Sequence, residues 1–427
     1  MPAMAVAGLF VVLPIHVEAV AWIVGRAELL ATLAYAAGLL CMLRHRRTRG
    51  VSYAVAGALL IALGCFAKEN AATLLAAPVL AALVLPSGAR ERRRDTTMFA
   101  ALVAGLFIYG VVRFAADGAP TASAAGDLLD NPLASLPSGT RLLGAVSVLG
   151  RYLALTVWPH PLSVDYSFDA LGMGPGFVAD RYTAFALLGL GWLAAGGYAA
   201  GPRAVFPLLL AGASYSLVSN IVLLLGTVMA ERLFYLPTLG LLLAAVPAWE
   251  AAVASKRAGR TLLLAFAFVC TAYGVVSFRR ALDWRDSVSL FESAVRHHPR
   301  SARARMELGG AYGRVGRVAD AEREFATAVE VLPTYAAAWY NLGNLRARDG
   351  RLDDAATAYE RALETSPRLV QAWYNLGLVE QMRGRPDEAV GAFSAAARIA
   401  PGDVEIEQAL AVLRARDGNI ANPPSGR

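Results

Sequence analysis

Residues 14–30 read PIHVEAVAWIVGRAELL, and they set His16, Glu18, Arg26 and Glu28 into an otherwise apolar run that continues to Leu43. Ionisable side chains at the edge of a bilayer are costly unless they face water, a partner or a ligand, so they mark a site. Three more polar groups punctuate apolar surroundings. They are Lys68, Glu69 and Asn70 in CFAKEN, Asp165 and Tyr166 in WPHPLSVDYSFD, and Glu231 and Arg232 in MAERLFYLP. A lipid-phosphate site needs Arg, Lys or His near the headgroup plane, and Arg26, Lys68, Arg151 and Arg232 are candidates. A group transfer onto a hydroxyl also needs a carboxylate to take the proton.

Each stretch has a plainer reading. Trp22 with Glu18 and Arg26 could be an interfacial anchor. If residues 19–43 form one helix, Glu18, Trp22 and Arg26 lie near one face, with Glu28 rotated away. Lys68 and Glu69 could be a snorkelling pair between two helices, and Glu231-Arg232 an arrangement suited to a helix N-terminus. Asp165 could punctuate a Pro-rich loop.

The elements that must carry these residues are membrane helices. Of 427 residues, 56% are hydrophobic, and the mean hydropathy is +0.46, too apolar for an ordinary soluble protein. Apolar runs at about 27–43, 51–67, 71–86, 97–114, 182–200, 204–221, 235–250 and 261–278 are long enough to cross a bilayer core. Residues 3–13 are too short to span alone. The net charge of +7 is carried mostly by Arg, with lysine only at Lys68 and Lys256. Arg44–Arg49, Arg90–Arg94, Arg203 and Lys256–Arg260 fall between apolar runs, where the positive-inside rule places them in the cytoplasm. No nucleic-acid partner is therefore expected. Cys41, Cys65 and Cys270 share no spacing, and the five His residues are not grouped, so neither a disulfide framework nor a metal site is indicated. The charge rule puts all four polar groups, and everything after Arg279, on the side opposite the cytoplasm. Parity then requires 141–158, which carries Arg141 and Arg151, to be an interfacial or re-entrant helix.

After Phe278 the sequence becomes charged and Ala-rich. Pro299, Pro333, Pro367 and Pro401 recur every 34 residues, the tetratricopeptide-repeat (TPR) period. Small and aromatic positions recur with them: Gly309, Gly343 and Gly377, then Phe325, Tyr359 and Phe393. The fold expected is all-α: a polytopic helix bundle over 1–278 followed by a TPR α-solenoid over 279–418. The repeats divide into a half repeat at 283–299, full repeats at 302–335, 336–369 and 370–403, and a closing helix at 404–417. A frayed tail covers 419–427. Such a stack offers a concave groove to an extended polypeptide. Asn341 and Asn375, with Tyr340, Asn344 and Tyr374, are the groove candidates, because Asn pairs with peptide backbone whatever its sequence. The first repeat has Glu307 at the equivalent place, so an Asn ladder would be short. WYNLG is also common repeat filler.

PIHVEAVAWIVGRAELLA, CFAKEN, RYLALTVWPHPLSVDYSFD and AERLFYLPTLG, in that order and followed by tandem repeats, resemble the transmembrane-and-TPR protein O-mannosyltransferases. Those belong to the polytopic GT-C class of glycosyltransferases that use polyprenyl-phosphate sugars. The resemblance covers nearly the whole chain. It implies a membrane lipid-linked donor, a polyprenyl-phosphate hexose with mannose as one candidate, and a Ser or Thr acceptor on an exported protein. It also implies inversion at the anomeric centre, an acidic base, and basic residues on the leaving phosphate. No further cofactor is evident, and the resemblance leaves metal dependence open. The Arg- and Ala-rich usage suggests a high-GC bacterium, and hence the inner membrane with the repeats on the periplasmic side.

The chain also departs from the family. Its acidic catalytic motif lies between the first two membrane helices, a region that would precede Met1, and Leu13 stands where the family usually has His. The chain is then either a fragment or a degenerate homologue, with the general base expected upstream. Two other classes compete. One is a non-catalytic membrane-anchored TPR scaffold for envelope assembly, and the other a component that moves lipid-linked sugars between leaflets.

Overall fold

The computed structural model describes residues 2–48, 50–117, 129–168, 170–173, 177–254 and 256–421, with backbone alone at 117, 256–258 and 414–421. Most of the described residues are helical, with no strand among them. They form two compact units, residues 1–290 and 291–427.

The first unit begins with α1 (Pro2–Val12), a 3-10 turn at Pro14–His16 and the short α2 (Val17–Ala21). Trp22 is extended (φ −87°, ψ 135°), and a turn through Gly25 precedes α3 (Arg26–Thr48). Residues 19–43 are therefore not one helix. At Gly25 a Cβ would lie 2.6 Å from the Ala19 carbonyl oxygen, so the break folds tightly back on α2. α3 ends in His45-Arg46-Arg47, cations that suit a helix C-terminus. α4 (Val51–Ala67) returns antiparallel, and a 3-10 turn at Glu69–Leu75 leads into α5 (Ala76–Val84) and α6 (Ala89–Asp117). Tyr35, Met42, Ile61, Leu74, Met98 and Leu102 make their common core.

α7 (Ser138–Val157) is long and apolar enough to cross a membrane, yet both its flanks meet at one end of the unit. Phe168 N–H donates to the Leu129 carbonyl at 2.8 Å, and the Asn131 amide donates to Asn220 Oδ1 and to the Leu225 carbonyl, both at 2.8 Å. α7 touches α8 (Arg181–Ala200) at Gly150, where a Cβ would lie 1.9 Å from the Tyr182 carbonyl oxygen, and again where Leu153 meets Gly189. Both numbers rise together, so the two helices run in the same direction, and residues 158–180 lead back to the level of Ser147 and Gly150, midway along α7. α9 (Pro202–Ser216) ends five residues earlier than its apolar run, because residues 217–230 form an irregular segment around Asn220. Asn220 sits at φ +58°, a conformation Asn tolerates, and its side chain bonds Leu225 N–H and the Thr227 and Val228 carbonyls. A 3-10 turn at Glu231–Phe234, then α10 (Tyr235–Val253) and α11 (Lys256–Asp283), complete the bundle. Tyr152 stacks on Phe234 at 4.6 Å in a second core.

Six described helices are long and apolar enough to cross a membrane. Their outward faces carry Phe107, Leu188, Trp192 and Phe268, each more than 70% exposed, as suits lipid rather than water. This is a membrane protein. The ends of α3 differ in character. Arg46 pairs with Asp95 at 3.1 Å, and Arg94 donates to the Arg46 carbonyl. Glu28 lies 18 residues earlier, about 27 Å along the helix axis.

The second unit stacks α12 (Ser287–His297) and the antiparallel pairs α13 (Ala302–Arg314) with α14 (Val318–Val331), α15 (Ala336–Arg348) with α16 (Leu352–Thr365), and α17 (Val370–Met382) with α18 (Pro386–Ile399). The last helix, α19 (Val404–Ala421), runs four residues past its expected end, and 422–427 lie outside the described residues. Each full repeat's first helix closes at a glycine with positive φ (Gly316 +79°, Gly350 +76°, Gly384 +72°), which lets the chain reverse into the second helix.

Candidate functional site

Three carboxylates are buried at one end of the first unit, each with a cation. Glu18 accepts the Arg232 backbone N–H at 3.0 Å and the Arg232 guanidinium as well. It thus satisfies one of the N–H groups left open where the chain enters α10. The Arg232 guanidinium lies 4.6 Å over the Trp22 ring, which the extended residue at the end of α2 places there. Glu28, in the first turn of α3, accepts from the Asn70 amide at 2.6 Å and faces Lys68 Nζ at 3.3 Å. Lys68 ends α4 in an extended conformation (φ −159°), which turns its side chain toward α3.

Glu231 is wholly buried. Its Oε1 accepts from Ser163 N–H and from the Tyr166 hydroxyl, both at 2.7 Å, and Arg280 Nη2 lies 3.8 Å away. Burial, with the Glu231 charge beside it, pushes the Tyr166 phenol well above its ordinary range, so it stays protonated and donates. Arg280 also donates to Asp283 at 3.1 Å. Removing either partner of such a pair leaves a buried charge unmatched.

The expected residues divide sharply. Glu18, Glu28, Lys68, Tyr166, Glu231 and Arg232 fall into these pairs. His16 is buried nearby but held by Thr238 and the Phe10 carbonyl, each at 2.8 Å, between the Phe10 and Tyr235 rings. Glu69 is exposed and turned away from the pair made by its neighbours. Arg26 is exposed and has no ion-pair partner among the described residues. Asp165 is half-buried and accepts from Ser167 within its own loop. Arg151 is not at the site. It pairs with Asp180 at 2.7 Å and lies 4.2 Å over the Tyr182 ring, where it fastens the start of α8 to α7. Burial pushes the Asp180 carboxyl up, but hydrogen bonds from Ser147 and Thr183 and the Arg151 charge outweigh it and hold the group below its usual range.

Sequence reasoning missed Arg280 and Ser163. Arg280 follows Arg279 at the end of an apolar run and reads as an ordinary flanking charge; its signal is its place one turn before Asp283 and Trp284. Ser163 acts through its backbone, which no side-chain pattern announces.

An apolar groove of about 470 Å³ runs between α7, α8, α9 and α10, and a second of about 350 Å³ shares Leu153, Leu193, Gly197, Leu208 and Leu241 with it. The first reaches Tyr215 and Phe234, two residues from Arg232.

In the repeats, Asn375 donates to Asn344 Oδ1 at 2.8 Å and to the Tyr340 hydroxyl at 3.3 Å, so it ties two repeats together. The Tyr359 hydroxyl also bonds Asn344 at 2.7 Å. Among the described residues, Asn341 contacts only the Met306 sulfur, at 3.6 Å, and Tyr374 packs edge-on to Phe393 at 5.5 Å.

The tetratricopeptide-repeat family matches residues 275–312, 311–369 and 342–404. A protein O-mannosyl-transferase of Caenorhabditis elegans is 28% identical over 338 residues, 74% of this chain and 44% of that protein. Another of Drosophila melanogaster is 38% identical over 108 residues, 24% of this chain and 12% of that one. The chain is similar to proteins named protein O-mannosyl-transferases and carries tetratricopeptide repeats. It spans less than half the length of these curated relatives. Among solved structures, MamA protein is 25% identical, with 31% of this chain and 72% of that one covered and a TM-score of 0.29. The four stretches that carry the O-mannosyltransferase resemblance are the ones the buried pairs join. Glu18 to Arg232 links the first and fourth, Glu28 to Lys68 and Asn70 the first and second, and Tyr166 to Glu231 the third and fourth.

Proposed function

We propose that the helix bundle is the donor-binding part of a glycosyltransferase of the GT-C type. It would take a hexose from a polyprenyl-phosphate carrier and pass it to Ser or Thr of an exported protein, with the repeats presenting that protein. The observation that carries this reading is the collection of three buried carboxylate–cation pairs at one end of a lipid-facing bundle, drawn from all four family-like stretches. Arg26, exposed and without an ion-pair partner among the described residues, and Lys68, one-third exposed, are the cations available to a phosphate there. The groove that begins beside Phe234 is apolar and long enough to accept part of a polyprenyl tail. Charge placement favours an inner-membrane protein with this end, and the repeats, on the periplasmic side.

The test is transfer of labelled hexose from a polyprenyl-phosphate donor to a Ser/Thr-containing exported protein by the full chain in liposomes. Label in the acceptor that disappears in Arg26→Met/Lys68→Met supports the proposal. Label that is indifferent to both residues contradicts it. One observation favours a second reading, a non-catalytic scaffold anchored in the membrane. Arg232, Lys68 and Arg280 are already engaged by Glu18, Glu28 and Glu231, as charges that only hold helices together would be.

A further inference from the structure

The end of the bundle opposite the three buried pairs brings together two Arg-rich stretches, the last turn of α3 and the start of α6. A small buried frame joins them. Arg46 donates to Ser87 Oγ at 2.5 Å and pairs with Asp95 at 3.1 Å, and Arg94, 48 residues on, donates to the Arg46 carbonyl. Around this frame stand Arg44, Arg47, Arg90, Arg92 and Arg93, all exposed and none with an ion-pair partner among the described residues. The acidic side chains here are Glu91 and Asp95. Glu91 accepts from the Gly88 N–H at 2.9 Å, and Asp95 is matched by Arg46, so the surplus is strongly positive.

Two features set these arginines apart from ordinary flanking charges. Cations at a helix N-terminus are repelled by the helix dipole, yet α6 carries Arg90, Arg92, Arg93 and Arg94 in its first two turns. Within the described chain only Glu91 and Asp95 offset that repulsion, and an anion from outside would complete the balance. The exposed arginines also finish apolar strips. On α3, Leu40, Leu43, Arg44 and Arg47 are exposed at the spacing of one helix face, and on α6 so are Arg92, Thr96, Phe99 and Val103. Each strip passes from lipid-facing side chains to guanidinium within about two turns. Membrane orientation needs only the number of cations on a side, not their exposure or their alignment with such strips.

We infer that this end of α3 and α6 is a docking surface for an anionic phospholipid, with the headgroup phosphate on the exposed arginines and the acyl chains along the strips. The surface is separate from the one proposed for the lipid-linked donor and stands whatever the bundle catalyses. Guanidinium suits the task because its planar fork offers paired N–H groups to two phosphate oxygens. The strips decide between sources of phosphate. A free phosphate or a nucleic acid has no chains to lay on Leu40, Leu43, Phe99 and Val103, whereas a phospholipid has both parts at the right separation. A zwitterionic lipid carries no net charge to answer the surplus, so an anionic one is favoured. Ser87, Asp95 and the Arg46 carbonyl hold the two helix ends against each other, which keeps the cations of both helices over one patch of the leaflet.

The experiment is native mass spectrometry of the full chain released from detergent micelles that contain phosphatidylglycerol and phosphatidylcholine in equal amounts. Variants are Arg44→Gln/Arg47→Gln and Arg92→Gln/Arg93→Gln, with Arg26→Met/Lys68→Met as the comparison at the other end. Thermal melting of each variant separates lost binding from lost folding, and the single changes Arg47→Gln and Arg92→Gln carry the same comparison if a double variant melts early. The expected result is a preference for phosphatidylglycerol that falls about ten-fold in each arginine double variant at unchanged melting temperature, the effect of two surface cations on an anionic lipid. Arg26→Met/Lys68→Met should leave the preference as it is. Equal retention of the two lipids by the parent chain, or a preference that the arginine variants do not move, overturns the inference. Displacement of phosphatidylglycerol by inorganic phosphate or by a short oligonucleotide overturns it too, because the arginines would then read phosphate without the chains. A fall in Arg26→Met/Lys68→Met as large as in the arginine variants also overturns it, by placing the lipid at the donor end.

Discussion

Glu18 and Arg232 stand 214 residues apart and meet twice, through the Arg232 backbone N–H at 3.0 Å and through its guanidinium. The contact closes the bundle, because it joins α2 to the turn that leads into α10. Glu18 is 0% exposed, so its charge has no water to fall back on. Arg232→Met is expected to destabilise the chain by about 3–5 kcal/mol, and Glu18→Gln/Arg232→Met by clearly less, since the orphaned charge is then gone. Denaturation in mixed micelles measures both. Equal losses in the single and double variants would show that the pair is not coupled.

Two glutamates, one paired with Lys68 and one next to it in sequence, give an internal contrast. Glu28 is buried between Asn70 and Lys68, whereas Glu69 is exposed. Lys68→Met should cost about 2–4 kcal/mol by leaving Glu28 unmatched, while Glu69→Ala should stay within about 0.5 kcal/mol. A Glu69 variant as damaging as the Lys68 variant would mean that the assignment of partners is wrong.

In the repeats, neighbouring glycines should respond with opposite sign. A Cβ at Gly309 would lie 2.8 Å from the Phe325 ring, whereas at Gly310 it would meet only the end of Arg314 at 3.6 Å. Gly309→Ala is expected to cost about 1–3 kcal/mol through overpacking, and Gly310→Ala to gain about 0.5–1 kcal/mol in helix propensity. Thermal melting of the full chain reads both, and a neutral Gly309 variant would contradict the close packing of α13 on α14.

Glu322 supplies a pH test outside the membrane. Hydrogen bonds from Arg351 at 2.6 Å and Arg346 at 3.3 Å outweigh burial and hold its carboxyl below the ordinary value. The folded chain therefore binds fewer protons at this position than the unfolded one. Its contribution is complete above the unfolded value, about 4.3, and fades as pH falls through the folded value. Urea melts of Glu322→Gln should lose less stability between pH 6 and about 3 than the parent, the range where the unfolded carboxylate titrates. Parallel losses would remove Glu322 from the acid transition.

Asn341 and Asn375 should differ in peptide capture. Asn375 is engaged by Asn344 and Tyr340, while Asn341 has only a sulfur contact. Asn341→Ala is expected to weaken capture of an extended peptide more than Asn375→Ala, whose main effect is a stability loss of about 1 kcal/mol between repeats. Unchanged capture in the double variant would end the backbone-clamp idea.

The repeats were legible because each one repeats the same solution: a 34-residue period, small residues where helices touch and aromatics opposite them. Apolar length marked where helices lie but not how each is built: the run at 71–86 is a 3-10 turn followed by the short α5, and the run at 204–221 is helical only to Ser216. The break at Trp22–Gly25 was not legible, since hydropathy runs on through it and only the close approach of Gly25 to Ala19 marks it. Arg151 was placed wrongly because its partner, Asp180, lies beyond a long irregular return, where spacing carries no information. Arg280 was missed for the opposite reason: an arginine at the end of an apolar run has an adequate explanation already. The six expected residues that fall into buried pairs share one signal, a charge or phenol standing inside apolar sequence without a local partner.

Photo-crosslinking of the full chain in liposomes with a diazirine-bearing undecaprenyl-phosphate hexose tests the central claim most directly. Adducts concentrated on 16–28, 68–70 and 231–232, and competed by unlabelled donor but not by ordinary phospholipid, are the predicted result. Adducts gathered instead around Arg46 and Arg94 at the opposite end, or competed equally by any lipid, would contradict it.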